Sequence, residues 1–217
     1  GLASVHEEMR FNQQPLANVI ANPVPAFEFG TKEVRGLEKP STTISVPYRG
    51  QSLQGSQLID QLRSWRGRGM ITGTFETAVE EVLDHPEWLS LEGDTVVLLG
   101  ALAETGPLRY LLTWGADVIA VDLPTQVATR QLTSLAESGA GRVRLPVRPE
   151  SLEGNAPIGA NVTTELPELA AWLSGFSERL TLGHYYYTES AAHLQLAASG
   201  DARNNMVLAR KPAPGPP

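Results

Sequence analysis

Two glycines and one aspartate stand out by their spacing. Gly100 follows an apolar run, Gly106 lies six positions later, and Asp122 closes a second apolar run 22 positions after Gly100. A glycine turn lets the backbone approach a phosphate, and an acid at the end of the next strand can accept hydrogen bonds from both ribose hydroxyls. The pattern predicts that the chain binds an adenosine-containing cofactor.

A strand, a helix and a second strand would position these residues. Val96–Leu99 and Val118–Val121 are apolar at every position, which is typical of parallel strands buried on both faces. Pro107 suits the first turn of the intervening helix, because its missing N–H is not needed there. Gly115 suits the left-handed end of that helix.

The candidate cofactor-binding residues fall in the two turns after these strands. Gly100 allows a sharp turn, and Gly106 would let the backbone approach a pyrophosphate at the helix N-terminus. Asp122 would hold the adenosine ribose and would repel a 2′-phosphate, which favours NAD over NADP for a nicotinamide cofactor. The full set is Gly100, Ala101, Leu102, Thr105, Gly106, Pro107, Asp122 and Leu123.

The stretch from Val96 to Asp122 resembles the Rossmann NAD(P)-binding superfamily, and more loosely the short-chain dehydrogenase/reductases, whose glycine turn is also long. The resemblance implies an NAD- or NADP-dependent oxidoreductase that acts on a small-molecule alcohol or carbonyl. The spacing departs from G-x-G-x-x-G, and Leu102 stands where a middle glycine would be.

Two alternatives stay open. Leu99–Leu108 with Ala120–Asp122 also resembles the first motif and the ribose-binding acid of S-adenosylmethionine-dependent methyltransferases, which implies S-adenosylmethionine as cofactor. Here Leu98 and Leu99 replace the acid that often precedes the first glycine, and the turn is longer. The other alternative is a non-catalytic binding module on a Rossmann scaffold, because a fold does not fix a function.

Three consecutive tyrosines, Tyr185 to Tyr187, supply the candidate acid/base groups. No lysine lies four residues after any of them, so the Tyr-x-x-x-Lys dyad of the short-chain dehydrogenases is absent. Tyr187 as proton donor and His193 as acid or base are the predicted catalytic residues. The alternative is that these tyrosines alternate between the faces of a strand and pack on the flanking helices.

Composition excludes several classes of function. The chain has 217 residues, a net charge of −7 and no cysteine, so thiolate metal sites and a cysteine nucleophile are excluded and no metal site is predicted. The acidic balance argues against nucleic acid and anionic membranes; the arginines at 142, 144 and 148 are interpreted as solvated surface. The sequence lacks a G-x-S-x-G elbow, a Walker loop, a basic-then-apolar leader and a long apolar run, so a cytoplasmic protein with a small-molecule substrate is expected.

The predicted fold class is α/β: a Rossmann-like three-layer fold with a mostly parallel sheet and a helical, proline-rich N-terminal arm. Residues 1–92 are assigned to the arm and a helical segment, residues 93–211 to the nucleotide-binding domain and residues 212–217 to a flexible tail. The arm would wrap the core or pack on a second subunit, which predicts a homo-oligomer.

Four local predictions complete this scheme. Thr74 is expected to cap a helix in the segment 52–92. Pro146 would make the strand at 142–147 short or place it at an edge, because proline cannot donate to a ladder. Gly159–Thr164 is expected to form a fourth strand, and Leu180–Gly183 a further one.

Overall fold

The computed structural model describes residues 4, 7–11, 13–151 and 157–186. Its strands are Arg10–Phe11 (β1), Gln14–Pro15 (β2), Gly30–Arg35 (β3), Val46–Tyr48 (β4), Gln51–Leu53 (β5), Thr95–Leu99 (β6), Asp117–Val121 (β7), Arg142–Val147 (β8) and Leu180–His184 (β9). Its α-helices are Leu16–Ala21 (α1), Gly55–Gly67 (α2), Gly73–Asp84 (α3), Leu108–Thr113 (α4), Gln126–Glu137 (α5) and Leu166–Ser174 (α6). Short 3-10 turns lie at Pro86–Leu89 and Pro149–Ser151.

Five strands form one central sheet in the order β3-β8-β7-β6-β9. β6 pairs in parallel with both β7 and β9, β7 pairs in parallel with β8, and β3 runs antiparallel to β8. The strand order therefore reverses between β6 and β9, as it does at the centre of a Rossmann-like sheet. The predicted α/β class with a mostly parallel sheet is confirmed.

Helices cover both faces of this sheet. On one face, Leu98 and Val118 pack with Leu112 of α4 and Leu132 of α5. On the other, Val97 and Ile119 pack with α6 and with apolar residues of the N-terminal segment. Alternate residues of each strand point to opposite faces, so the continuous apolar runs recognised in the sequence are what a sheet buried on both sides needs.

Part of the N-terminal segment packs into this core, and it also supplies a strand of the central sheet, which was not predicted. Residues Gly30–Arg35 form the antiparallel edge strand β3, and Phe11, Val19 and Phe29 are buried against α6. The Trp172 indole N–H donates to Thr31 Oγ1 at 2.9 Å, which ties α6 to β3. The polar composition of residues 30–35 suits an edge strand, whose outer side does not need apolar residues.

A small satellite unit precedes β6. The hairpin β4–β5 and helices α2 and α3 share an apolar cluster around Leu58 and Leu62. The cap of α3 is Thr72, whose Oγ1 accepts from the Phe75 N–H at 3.2 Å, so the assignment of the cap to Thr74 is wrong. Thr74 lies inside the first turn, where its hydroxyl bonds that of Thr72 at 2.9 Å.

Pro146 lies in an inner strand of the sheet, which corrects its predicted place at an edge. β8 pairs with β7 only through Arg144, and it pairs with β3 along its whole length. The missing N–H of Pro146 is tolerated because the ladder to β7 has already ended there.

The predicted strand Gly159–Thr164 is also wrong. The segment is a loop that precedes helix α6. Gly159 has a φ of 132°, which a strand does not adopt. The parallel strand that follows β8 is β9, as Leu180–Gly183 predicted. In the described residues, no helix has the length and apolar character that crossing a bilayer would require.

Candidate functional site at the carboxyl ends of β6 and β7

The turn after β6 is bonded directly to the end of β7. The N–H groups of Gly100 and Ala101 both donate to the Val121 carbonyl, at 2.9 and 3.3 Å. Gly100 has a φ of 72°, a conformation that glycine adopts without strain. The two predicted cofactor turns therefore lie side by side.

The Asp122 carboxylate locks these turns together. Its Oδ2 accepts from the Leu102 N–H and its Oδ1 from the Leu123 N–H, each at 2.8 Å. An ionised carboxylate has about four lone-pair positions, so each oxygen retains one for another donor. Two backbone amides therefore orient the carboxylate of Asp122, the residue predicted to bind ribose.

The rest of the glycine turn folds back on itself. Ala103 N–H donates to the Gly100 carbonyl at 3.0 Å, and Gly106 N–H donates to the Ala103 carbonyl at 2.8 Å. A Cβ at Gly106 would lie 3.0 Å from the Ala103 carbonyl oxygen. Glycine at 106 is therefore explained by this turn itself, before any ligand is considered.

Helix α4 then begins after Pro107, which occupies the cap position rather than the first helical turn. The Pro107 carbonyl accepts from the Leu111 N–H at 3.0 Å. Thr105 is exposed just before it, while Ala101 is buried. With only six residues, α4 carries a small dipole and few aligned amides.

The chain after β9 crosses Gly100 closely. Tyr185 N–H donates to the Leu99 carbonyl at 2.8 Å, and a Cβ at Gly100 would lie 2.9 Å from Cδ1 of Tyr186. Tyr185 packs with the α4–α5 face and Tyr186 with the α6 face. For these two residues the packing interpretation is confirmed, whereas Tyr187 and His193, the predicted catalytic pair, lie outside the described residues.

The loop that contains Gly159 closes the site from the side of β8. Ala160 N–H donates to the Asp122 carbonyl at 2.9 Å, and Gly159 N–H donates to the Pro146 carbonyl at 3.1 Å. A Cβ at Gly159 would lie 2.4 Å from the Asp122 carbonyl oxygen, so only glycine fits. This loop fixes the backbone of Asp122 from the side opposite to the glycine turn.

Arg148 and Glu165 form an ion pair that braces the loop, which corrects the interpretation of Arg148 as solvated surface; Glu165 was not predicted as part of the site. Nε and Nη2 of Arg148 donate to Glu165 Oε1 at 2.8 and 2.5 Å, and Glu165 Oε2 accepts from the Asn161 N–H at 2.7 Å. The pair is largely buried, so its hydrogen bonds offset the loss of hydration. The only signal in the sequence for this ion pair is an arginine that directly follows a predicted strand.

Two exposed apolar side chains follow Asp122 in the chain. Leu123, directly after Asp122, is 50% exposed, and Val127, in the first turn of α5, is 58% exposed. An apolar flat group and a hydroxyl-bearing group could therefore be bound at neighbouring positions.

A group of ion-paired side chains lies near the other ends of these strands, where β7 and β8 begin. Asp117, at the start of β7, pairs with Arg142 and also with Arg144, whose Nη2 lies 2.9 Å from Asp117 Oδ2. Arg144 Nη2 also lies 2.5 Å from Glu178 Oε1. The hydrogen bond to Asp117 raises the pKa of Arg142 above its ordinary value. The described residues contain no group of three or more metal-ligating side chains placed to hold an ion.

No family model matches the chain, and no curated protein or solved structure matches it significantly.

Proposed function

We propose that the chain binds the adenosine part of a cofactor above the carboxyl ends of β6 and β7. The observation that carries the proposal is the Asp122 carboxylate, held by the Leu102 and Leu123 amides at the edge where ligands of open α/β sheets bind. The remaining lone pairs of its oxygens would accept the two ribose hydroxyls.

Leu123 would contact the adenine ring. Its side chain is half exposed directly after Asp122, and a flat apolar ring placed on it and on Val127 would remove both from water. Burial of apolar area contributes about 25 cal/mol per Å². The carboxylate would fix the ribose, and the apolar pair would add affinity for the base.

Among the cofactors that contain adenosine, the turn favours S-adenosylmethionine. The N–H groups of Leu102, Ala103 and Gly106 all donate within the protein, so they are not available to a pyrophosphate. S-adenosylmethionine has a ribose and no phosphate. It would supply an electrophilic methyl group, so the proposed reaction class is methyl transfer to a small molecule.

An NAD-dependent oxidoreductase acting on an alcohol or carbonyl is the second candidate. The observation that favours it is the position of the Gly100 turn, directly after β6 and beside the point where the strand order reverses. Dinucleotides bind at this point in doubly wound sheets. In this candidate Tyr187 and His193 would serve as acid and base.

A thermal-shift panel of the full chain separates these candidates. A ligand at 100 times its dissociation constant stabilises the folded state by about 2.7 kcal/mol, or about 5–10 °C for a chain of this size. We expect S-adenosylmethionine and S-adenosylhomocysteine to raise the melting temperature, with little effect of NAD or NADP. A shift with NAD alone would select the oxidoreductase, and no shift with any of the four would contradict adenosine binding.

A further inference from the structure

A cavity lies on the side of α4 that faces the hairpin β4–β5, and its lining contains none of the residues proposed to bind adenosine. Its volume is about 440 Å³, which lies within the range of small-molecule sites. It lies between the hairpin β4–β5 and α4 and is lined by Pro47, Ser52, Arg109, Tyr110, Thr113 and Trp114, among others. Leu108 and Leu112 of the same helix face the core, so the cavity is formed by the surface that α4 does not bury in the sheet.

The residues around this cavity carry one guanidinium and several hydroxyl groups, among them those of Ser52 and Thr113. Thr113 already donates its hydroxyl to the Arg109 carbonyl at 2.9 Å, so its oxygen is left to the ligand only as an acceptor.

The charge of the cavity has one sign. Arg109 is the only charged side chain in its described lining, which contains no carboxylate. Arg109 also takes part in none of the ion pairs found between described residues. A guanidinium fork of this kind matches a carboxylate in two parallel hydrogen bonds.

The walls suit a flat apolar group. The rings of Tyr110 and Trp114 lie 5.9 Å apart with their planes tilted by 35°, and Tyr110 is 38% exposed. Pro47 adds a third apolar surface from the hairpin. Aromatic faces bind flat rings by stacking.

We propose that this cavity binds a small aromatic carboxylate, with the carboxylate on Arg109 and the ring against Tyr110 and Trp114. The site is independent of the adenosine site, since it shares none of the residues argued for cofactor binding. A positive or a negative result for this cavity therefore does not bear on the proposed function.

The test is a titration of the full chain with 2-naphthoate, followed in the indole region of a ¹H–¹⁵N spectrum. The four tryptophans give four indole signals, and Trp114→Phe identifies the one from Trp114. We expect 2-naphthoate to shift this signal in a saturable way, and neutral 2-naphthol to bind about tenfold more weakly, since a charge-assisted bond of about 1.4 kcal/mol corresponds to that factor.

The variant Arg109→Gln tests the contact with the carboxylate. Arg109 is exposed, so this variant should fold even if Trp114→Phe does not. It should weaken 2-naphthoate binding about tenfold, whereas Arg130→Gln on the neighbouring helix α5 should leave it unchanged. Equal affinity for 2-naphthol, unchanged affinity in Arg109→Gln, or absence of a saturable shift of one indole signal would overturn the proposal. Tighter binding of an uncharged polyproline peptide at the same signal would also overturn it, in favour of a peptide groove.

Discussion

Charged side chains are used differently at the two ends of the parallel strands, which are called here the amino edge and the carboxyl edge of the sheet. At the amino edge, Asp117 is balanced by Arg142 and Arg144, and the ions neutralise one another. At the carboxyl edge, Asp122 has no arginine or lysine partner among the described residues and bonds backbone amides instead. The charges at the amino edge are therefore paired within the protein, whereas the carboxylate at the carboxyl edge keeps lone pairs for further hydrogen-bond donors.

Asp117→Ala should give the largest loss of stability. It would leave Arg144, whose side chain is 9% exposed, and Arg142 without their shared carboxylate. Removing one partner of a buried ion pair costs about 3–5 kcal/mol. Urea denaturation measures this loss, and Asp60→Ala, which removes an exposed partner 3.8 Å from Arg63, should cost less than about 1 kcal/mol. Equal losses in the two variants would remove the structural role assigned to the amino edge.

Gly100→Ala comes next, at the carboxyl edge. The new Cβ would lie 2.9 Å from Tyr186 Cδ1 and 3.0 Å from its backbone nitrogen, at a φ of 72°. Left-handed backbone and overpacking together should cost about 2–4 kcal/mol. Gly67→Ala, at a helical glycine with nothing within 4 Å, should be neutral or stabilising. Chemical denaturation of the two variants compares them, and a neutral Gly100→Ala would show that the chain after β9 does not cross this glycine closely.

Asp122→Ala should combine a moderate loss of stability with loss of cofactor binding. It leaves the partly buried Leu102 N–H without its acceptor, which costs about 1–3 kcal/mol. Asp122→Asn keeps one acceptor oxygen, so it should recover part of the stability and little of the affinity. Calorimetric titration with S-adenosylhomocysteine measures the affinity, and unchanged affinity in both variants would remove Asp122 from the site.

Leu123→Gln should have the smallest effect on stability, less than about 0.5 kcal/mol, because the side chain is half exposed. Its effect on cofactor affinity should be clear, since a polar group would replace the surface proposed for adenine. Val24→Gln, at a position that is 79% exposed and far from this edge in sequence, is the control. If both variants bind S-adenosylhomocysteine as the unmodified chain does, adenine does not lie on Leu123.

Local sequence patterns predicted the strands that are apolar throughout. β6 and β7 are recognisable in the sequence because burial on both faces leaves a continuous apolar run. β3 was missed because its residues, Gly-Thr-Lys-Glu-Val-Arg, show no such run and its pairing with β8 joins positions more than 100 residues apart. Long-range pairing of an edge strand leaves little trace in the local sequence.

The spacing in the sequence predicted where the residues of the candidate site lie in the fold, but not the contacts that require them there. Gly100 and Asp122 occur where the spacing placed them, but the reasons for the glycines are the approach of Tyr186 and the turn at Ala103. The arginines at 142, 144 and 148 were interpreted as solvated surface, whereas each pairs with an acid across the fold. Such partners are distant in sequence, and composition alone does not identify them.

The most direct test of the central claim is a backbone ¹H–¹⁵N titration with S-adenosylhomocysteine. The amides of Leu102 and Leu123 donate to Asp122, and we expect their signals to shift in a saturable way. The amide signals of Asp117 and Arg142, at the opposite ends of the strands, should not shift. Shifts confined to the amino edge, or no saturable shift at Leu102 and Leu123, would contradict it.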